Sequence, residues 1–470
     1  MMVHGIQKDR EVREPFDMFQ NMMLGPGRSQ PGPGGPTGLM PGGDNAPPPP
    51  PNIFGKDELA GAAVVIDENG INAVESRSQF VDSGTYDDNC AKTLRITADD
   101  GHTGGVYVRG KDVTYTVEDA VIRLSGDSVG LGGMTSAIAA DQGAELILKK
   151  ADIVTEGTAR SATSATNSAV LKIYDSSLLC HGADFSKDTI GPSGRKRDIQ
   201  GNARCHITMG NARTYLYNTS VVADGWAALS TDIAQGYVYV EANDCHLETT
   251  KSGYTAYADG GCEVVLNRCE VKSASMAGVI AGEASITYRD CRIQSGTFGT
   301  KFHCIGQSAE VGTLNIENST IRSADQNIII NSHNAEITVR NSELCADVAL
   351  EVRVNDDPNA ANAAAKGKQV YGVHLTLEGS KIQGDLRNTD DRATNVYLRD
   401  SRIRGAMHGI TLWMQEGGFW FASGDSDVVL VGEFSLSQID APLGVTVHAF
   451  GAENVSYGLP SGGQLVISAR

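Results

Sequence analysis

The sequence predicts an all-β fold, a right-handed parallel β-helix with three strands in each coil. Two observations carry this prediction. Short runs of Val, Ile, Thr, Tyr and Leu alternate with polar residues at a period of two, which is the period of strands and not of helices. The runs also recur as a repeat, read three times between Ala284 and Val354, and such a fixed period is typical of a solenoid.

Each repeat contains an alternating strand, an Asn or Asp, a small residue, a second short strand, a turn and a third strand. The small residues follow one another at steps of 43, 26, 24, 22, 28, 23, 38 and 21 residues, so a base of 22–26 recurs and the longest steps hold insertions. They are Ser176, Thr219, Cys245, Cys269, Cys291, Ser319, Ser342, Ser380 and Ser401. A leucine-rich repeat of similar period would require Leu at fixed offsets, whereas several residue types share the inward positions here.

Stacked coils lie about 4.8 Å apart, so equivalent side chains form ladders along the solenoid. Asn and small polar residues in such ladders satisfy each other's hydrogen bonds. The polar ladder is predicted at Asp152, Asp175, Asn218, Asp244, Asp290, Asn318, Asn341 and Asp400, with Arg268 and Gly379 as departures. Cys245, Cys269 and Cys291 are then expected to be neighbours in a buried, reduced stack.

From roughly Ala62 to Ile467 this pattern resembles the pectate-lyase-like β-helix superfamily, in architecture alone. Asn388-Thr389-Asp390 is similar to a motif of the polygalacturonases. Those enzymes also carry a Gly-His-Gly motif, absent here, and an Arg-Ile-Lys motif, for which this chain has Arg292-Ile293-Gln294. Neither their catalytic residues nor the calcium-binding carboxylates and Arg base of a pectate lyase are therefore carried over.

The chain divides into two regions by composition. Residues 1–52 include a Pro- and Gly-rich stretch from Gly25 to Pro51, which cannot bury a core and is predicted to be disordered. Phe16 and Phe19 lie before this stretch. As an alternative to disorder, they could cap the first coil or dock on the groove. Residues 53–470 form the β-helix domain, because a solenoid uses such a length as one unit.

Charge and cysteine usage limit the partners and the compartment. The net charge of −18 argues against binding to nucleic acid or to an anionic membrane surface. The first residues lack the apolar core of a signal peptide, and no run of 18 apolar residues occurs. We therefore expect a cytoplasmic protein with reduced thiols. The nine Cys include no C-x-x-C pair, and no metal or cofactor is expected; the oligomeric state is left open.

Two insertions, Gly182 to Gly201 and Asn355 to Gly372, adjoin the third strand of their coils. Long loops on one face of a solenoid usually mark the binding face, so the site is expected on the outward positions of the third strands. The predicted catalytic residues are His303, Tyr257, Lys301, Arg353 and Glu351. The predicted substrate-binding residues are Asn331, His333, Arg204, His206, Trp413 and Trp420.

These side chains suggest acid–base chemistry on a small polar substrate. His303 or Tyr257 can transfer a proton, and Arg353 can hold a carboxylate or a developing oxyanion. Trp413 and Trp420 can stack on a sugar ring or cover the C-terminal end. We expect a lyase, hydrolase or epimerase that acts on a carbohydrate or glycoside. A non-catalytic binding or structural solenoid and a small-molecule isomerase or cyclase are the alternatives.

Overall fold

A computed structural model describes residues 2–4, 60–128, 132–182, 203–232, 236–303, 310–354 and 371–469. Over these ranges 42 strands join in one sheet system, in which nearly every strand pairs in parallel with its counterpart one coil away. The predicted all-β parallel β-helix is thereby confirmed. The three faces of the solenoid are called sheet 1, sheet 2 and sheet 3, after the first, second and third strand of the repeat.

The strands of sheet 1 alternate between inward apolar and outward polar residues. They are Thr114–Glu118, Glu145–Lys149, Val170–Tyr174, Arg213–Tyr217, Val238–Asn243, Cys262–Asn267, Ser285–Arg289, Val311–Glu317, Asn334–Arg340, Val373–Glu378, Thr394–Arg399, Ser426–Val431, Thr446–Gly451 and Gln464–Ala469. Those of sheet 2 are shorter. They are Val121–Ser125, Asp152–Glu156, Ser177–His181, Ser220–Ala223, His246–Thr249, Glu270–Ser273, Arg292–Ser295, Thr320–Ser323, Arg402–Arg404, Phe419–Phe421 and Ile439–Asp440.

Sheet 3 carries the face on which the site is expected. Its strands are Gly61–Asp67, Thr103–Arg109, Ile138–Asp141, Thr163–Ala165, Ala203–Met209, Trp226–Asp232, Tyr254–Ala258, Met276–Ala281, Phe298–His303 and Gln326–Asn331. Four longer strands turn a corner and belong to two sheets. They are Cys90–Ala98, Glu343–Arg353, Lys381–Asn388 and Met407–Met414. Three 3₁₀ turns complete the described elements: Ser78–Phe80, Gly133–Thr135 and Leu436–Gln438.

The turn from sheet 1 to sheet 2 depends on one residue in the left-handed backbone region, with φ between 46° and 59°. Asn, Asp and Gly tolerate this region best, which explains the polar ladder of the sequence. The ladder residues are Asp119, Lys150, Asp175, Asn218, Asp244, Arg268, Asp290, Asn318, Asn341, Gly379 and Asp400. The prediction for Asp152 was wrong: it opens a strand of sheet 2 opposite Ser177, and Lys150 occupies the ladder position.

The small residue after each ladder residue points into the core and closes the turn. Its hydroxyl or thiol donates to the carbonyl two residues earlier, at 2.7 Å from Ser176 to Tyr174 and at 3.2 Å from Cys245 to Asn243. Ser hydroxyls also accept the backbone N–H of the preceding coil, as from Cys291 to Ser319 at 2.9 Å. Ser, Thr and Cys are small and can form these bonds, whereas Ala120 and Ala151, after Asp119 and Lys150, fill the same buried position without them. Cys245, Cys269 and Cys291 are buried and carry free thiols.

Antiparallel strands flank both ends of the parallel stack. Val81–Tyr86 pairs with Cys90–Ala98 and Gly70–Ile71 pairs with Gly61–Asp67 at the N-terminal end, and Val455–Gly458 covers Gln464–Ala469 at the other. Of the predicted segment 1–52, the structure describes Met2–His4, a strand paired with Glu433–Ser435; Phe16 and Phe19 lie outside the described residues. Nowhere in the described ranges is there a helix with the length and apolarity needed to traverse a lipid bilayer.

Candidate functional site

The outer face of sheet 3 carries two columns of side chains that run along the solenoid axis. Column A consists of Ile207, Ser230, Tyr257, Val279, Lys301, Ile329, Glu351 and Arg387. Two residues further along each strand, column B consists of Met209, Asp232, Ala281, His303, Asn331 and Arg353. Asp259, which directly follows the strand Tyr254–Ala258, continues this column beyond the end of its strand. Five predicted site residues stand in these columns on adjacent or nearby coils, and Tyr257 stands two coils before Lys301.

Between the coils of Tyr257 and Arg353, one coil has no polar side chain in either column. Val279 and Ala281 occupy that coil, with Tyr257 and Asp259 on one side and Lys301 and His303 on the other. Two coil spacings separate the flanking residues, so about 10 Å of backbone lies between them. Tyr257 aligns with Lys301 and not with His303 as expected, because the sheet 3 strand of its coil starts two residues later than the sequence alignment placed it.

The Tyr257 phenol is held in its neutral form. Burial raises the pKa of Tyr257 well above its usual value, and the negative charge of Asp259 adds to the effect. Its ring stacks on that of Tyr254, with centroids 5.0 Å apart. A neutral phenol donates a hydrogen bond or a proton, and at neutral pH it does not accept a proton.

A polar network joins the residues on the C-terminal side of the gap. The Nε atom of Arg353 donates to Oδ1 of Asn331 at 3.0 Å. The carboxylate of Glu351 accepts from the amide of Gln326 at 3.2 Å and lies 4.0 Å from Nη1 of Arg353. These contacts hold Asn331, Glu351 and Arg353 as one unit beside His303.

Arg204 lies on the N-terminal side of the same face. It precedes Ile207 of column A by three residues in the same strand. Its guanidinium lies over the ring of Trp226, 3.9 Å from the centroid, and forms an ion pair with Asp232. Burial lowers the pKa of Arg204. Trp226 has a φ of 72°, a conformation that is costly for a bulky side chain and that often marks functional sites.

Three acidic residues of this face were missed by the sequence analysis. Asp232 and Asp259 occupy column B, and the carboxylate of Glu310 reaches over Gly282, where an added Cβ would lie 3.1 Å from Oε2. Asp232 is the last residue of its strand and Asp259 follows the end of its strand. The repeat pattern of the sequence does not extend to these positions, so it could not align them with the other coils. The two-residue offset in the Tyr254 coil therefore hid Asp259.

Two of the predicted histidines do not face solvent. His206 was expected to point outward and instead points into the core, where it is fully buried between the hydroxyls of Thr163 and Thr208. The reason is a bend at the start of the sheet 3 strand that places two consecutive residues inward. His333 is buried in the turn after Asn331, with Nδ1 2.6 Å from the carbonyl of Asn334. Burial lowers the pKa of His333.

The two tryptophans lie elsewhere as well. Trp413 belongs to sheet 1, where it stacks on Tyr397 with centroids 5.8 Å apart, because its strand crosses from sheet 3 to sheet 1 before reaching it. Trp420 is fully buried in sheet 2, and its Nε1 donates to the carbonyl of Gly405 at 2.9 Å. The two rings therefore do not form a shared stacking platform, which was one of the two alternatives predicted for them.

Two open grooves were found on other faces of the solenoid. A groove of about 520 Å³ has a floor of Ser and Thr residues and is bordered by Glu248, Lys272 and Arg322. A second, of about 440 Å³, follows the turn ladder near Asp175 and His246. No group of three or more His, Cys, Asp or Glu side chains arranged for a metal ion occurs within the described part of the chain. Comparison with protein-family models and with curated proteins gave no match.

Proposed function

We propose that this protein is a carbohydrate-active enzyme, a lyase, hydrolase or epimerase that uses acid–base residues on the outer face of sheet 3. The observation that carries the proposal is the arrangement around Val279 and Ala281, where Tyr257 and Asp259 stand opposite Lys301 and His303. A proton donor and a proton acceptor on opposite sides of one ligand are what general acid–base catalysis requires. A sugar ring fits the span of about two coil spacings.

Charged groups lie on both sides of the gap. The carboxylates of Asp232, Asp259 and Glu310 lie on the N-terminal side or above it, where Arg204 pairs with Asp232. The cations Lys301 and Arg353 lie beyond it, together with His303 and Glu351. In this assignment the neutral Tyr257 phenol donates a proton or hydrogen bond to the substrate, and His303 or Asp259 accepts one. The polarised face would also orient a substrate whose hydroxyls meet the carboxylates and whose oxyanion meets the cations.

A non-catalytic glycan-binding solenoid is the second candidate. The two open grooves described above lie away from sheet 3, and an extended ligand could be bound along them without catalysis. An isomerase or cyclase acting on a small molecule needs the same acid–base groups. As part of the same proposal, the protein is related to the pectate-lyase-like enzymes and is located in the cytoplasm. It is also proposed to bind neither nucleic acid nor membranes.

The test is a turnover screen with matched variants. Neutral and acidic polysaccharides, oligosaccharides and aryl glycosides would be incubated with the full chain, and reducing ends and unsaturated products would be measured. Asp259→Asn and His303→Gln should each reduce the rate roughly 100- to 10,000-fold. His448→Ala, an exposed residue of the strand Thr446–Gly451, should not. Binding of a glycan with no product and no effect of the two variants would favour the second candidate.

A further inference from the structure

The side chain of Asn331 contains a buried hydrogen-bond donor without a partner. Asn331 is 0% exposed although it belongs to the outer face of sheet 3. Its Oδ1 accepts from Nε of Arg353 at 3.0 Å, and this contact fixes the amide orientation, because a guanidinium can only donate. Among the residues that the structure describes, none accepts a hydrogen bond from Nδ2 of Asn331.

An unpaired donor of this kind requires an explanation. Leaving a buried polar group without a partner is destabilising, and native proteins leave few such groups unless a ligand, ion or water completes them. The amide is also held rigidly by Arg353. A fixed donor that is already desolvated is well suited to bind a ligand oxygen, because little reorganisation accompanies binding.

The charges around Asn331 indicate which oxygen it would bind. His303 and Arg353 are its neighbours one coil away in column B, and Lys301 and Glu351 are the adjacent residues of column A. Glu351 is already engaged by Gln326 and approached by Arg353. Lys301 and Arg353 thus place two permanently charged cations within one coil of the Asn331 amide. Charged oxygens bind such donors about twice as strongly as neutral ones.

We infer that Asn331, held by Arg353, is an oxyanion-binding subsite that takes a carboxylate, phosphate or sulfate oxygen of the ligand. The inference rests on the proposed function, since it assigns part of the same face. Asn331 is thus a specificity-determining residue: it selects ligands that present a negatively charged oxygen about one coil spacing from His303.

The decisive variant is Asn331→Asp. Asp has the same shape, and its oxygen still accepts from Arg353, but it presents a second acceptor where the amide presents a donor. The melting temperature of the full chain would be measured with sodium sulfate, phosphate or acetate against sodium chloride of equal ionic strength. The wild type should be stabilised by at least one of the three anions, and Asn331→Asp should raise its apparent dissociation constant at least tenfold. A preference for the tetrahedral ions or for acetate distinguishes an ester ligand from a carboxylate ligand.

Asn315→Asp is the matched control, because Asn315 lies on the outer face of sheet 1 and carries the same change of charge. It should retain the anion effect. If Asn331→Asp does not fold, Asn331→Val replaces it, since Val removes both polar atoms. No anion-specific stabilisation of the wild type, or equal stabilisation of both variants, overturns the subsite. Loss of the subsite with turnover intact leaves the proposed function standing, and anion binding without turnover on any glycan overturns the function alone.

Discussion

Nδ1 of His206 lies 2.8 Å from the hydroxyl of Thr163 in the adjacent coil, inside the solenoid. Its Nε2 lies 2.7 Å from the hydroxyl of Thr208, which in turn contacts Thr214 at 2.8 Å. Burial lowers the pKa of His206 to about 3, from 6.5 for an exposed imidazole. A polar chain within the core therefore contains a histidine that must stay neutral.

This chain of contacts predicts a loss of stability in acid. The folded-state pKa of His206 lies below its unfolded-state value, so the unfolded chain binds more protons as the pH falls. The contribution of neutral His206 is fully present above pH 6.5 and is lost progressively toward pH 3, by about 5 kcal/mol in all. Urea unfolding at pH 7.5 and pH 5.0 measures it. His206→Gln should flatten the pH dependence, and His448→Gln should leave it as in the wild type; equal slopes in all three proteins would refute the assignment.

The outward side chains of the site predict loss of function without loss of fold. His303→Ala alters a face that contributes little to the core, so the free energy of unfolding should change by no more than about 1 kcal/mol. Arg353→Ala also removes the donor to the buried Oδ1 of Asn331 and should lower the free energy of unfolding by about 1–3 kcal/mol. Turnover or ligand binding should fall roughly 100- to 10,000-fold for His303→Ala. Melting curves and the rate on the substrate from the screen provide the measurements. Unfolding of His303→Ala, or normal rates in both variants, would contradict the proposed site.

Arg160 is predicted to support the N-terminal coils. It is fully buried, and its two terminal nitrogens donate to the carbonyls of Gly101 at 2.8 Å and Thr103 at 2.6 Å. Burial lowers the pKa of Arg160 to about 10, and it remains charged at neutral pH. Arg160→Met leaves two buried carbonyls without donors and should reduce the free energy of unfolding by about 3 kcal/mol. Arg123→Met, which breaks an exposed pair with Asp152, should lose less than about 1 kcal/mol.

Chemical denaturation of the two arginine variants gives the comparison. Methionine replaces the unbranched aliphatic part of arginine without its charge, so it also removes the desolvation penalty of a buried cation. If Arg160→Met is as stable as the wild type, that penalty equals the hydrogen-bond contribution and Arg160 does not stabilise the fold.

Lys150 occupies a ladder position for which its residue type is poorly suited. Its φ is 52°, and an L-residue other than Gly, Asn or Asp pays about 1–2 kcal/mol in that region. Its side chain forms an ion pair with Glu118 at 3.7 Å, but both side chains are exposed, so the pair offsets little of this backbone strain. Lys150→Asn should therefore raise the free energy of unfolding by roughly 0.5–1 kcal/mol. The reverse change, Asn341→Lys, should lower it by a similar amount, and opposite signs would refute the turn argument.

The cysteine stack predicts protected thiols. Cys245, Cys269 and Cys291 are 2–3% exposed, and hydrogen bonds from Cys245 and Cys291, with burial, raise the pKa of Cys269. Hydrogen bonds with Cys269 lower the pKa of Cys245 and of Cys291, so the protection of all three thiols rests on their burial. These thiols should react slowly with a disulfide reagent in the native protein and fully after unfolding, whereas the half-buried Cys90 should react faster than the three in the native protein. A native disulfide among the three would contradict the stack.

Local sequence determined the fold and most of the turn ladder. Period-two alternation shows which side of a strand is buried, and turns with a left-handed φ favour Asn, Asp and Gly. Each of these signals depends on a few neighbouring residues of the sequence. Lys150 was not predicted as a ladder residue because lysine has no preference for the left-handed region in which its backbone lies. The outward positions of Lys301, His303, Asn331, Glu351 and Arg353 followed from the same alternation in the coils where the sheet 3 strand begins at a recognisable small residue.

Tertiary structure decided how the coils align with one another. The turn from sheet 2 to sheet 3 has four residues before Tyr254 and two before Met276, and nothing local reveals this difference. Only inter-strand hydrogen bonding sets the register that places Tyr257 beside Val279 and makes His206 a core residue. The crossing of Met407–Met414 between two sheets likewise carries Trp413 to another face. A strand's own sequence fixes the alternation of its two faces, whereas its offset along the sheet depends on hydrogen bonds with residues 20 or more positions away.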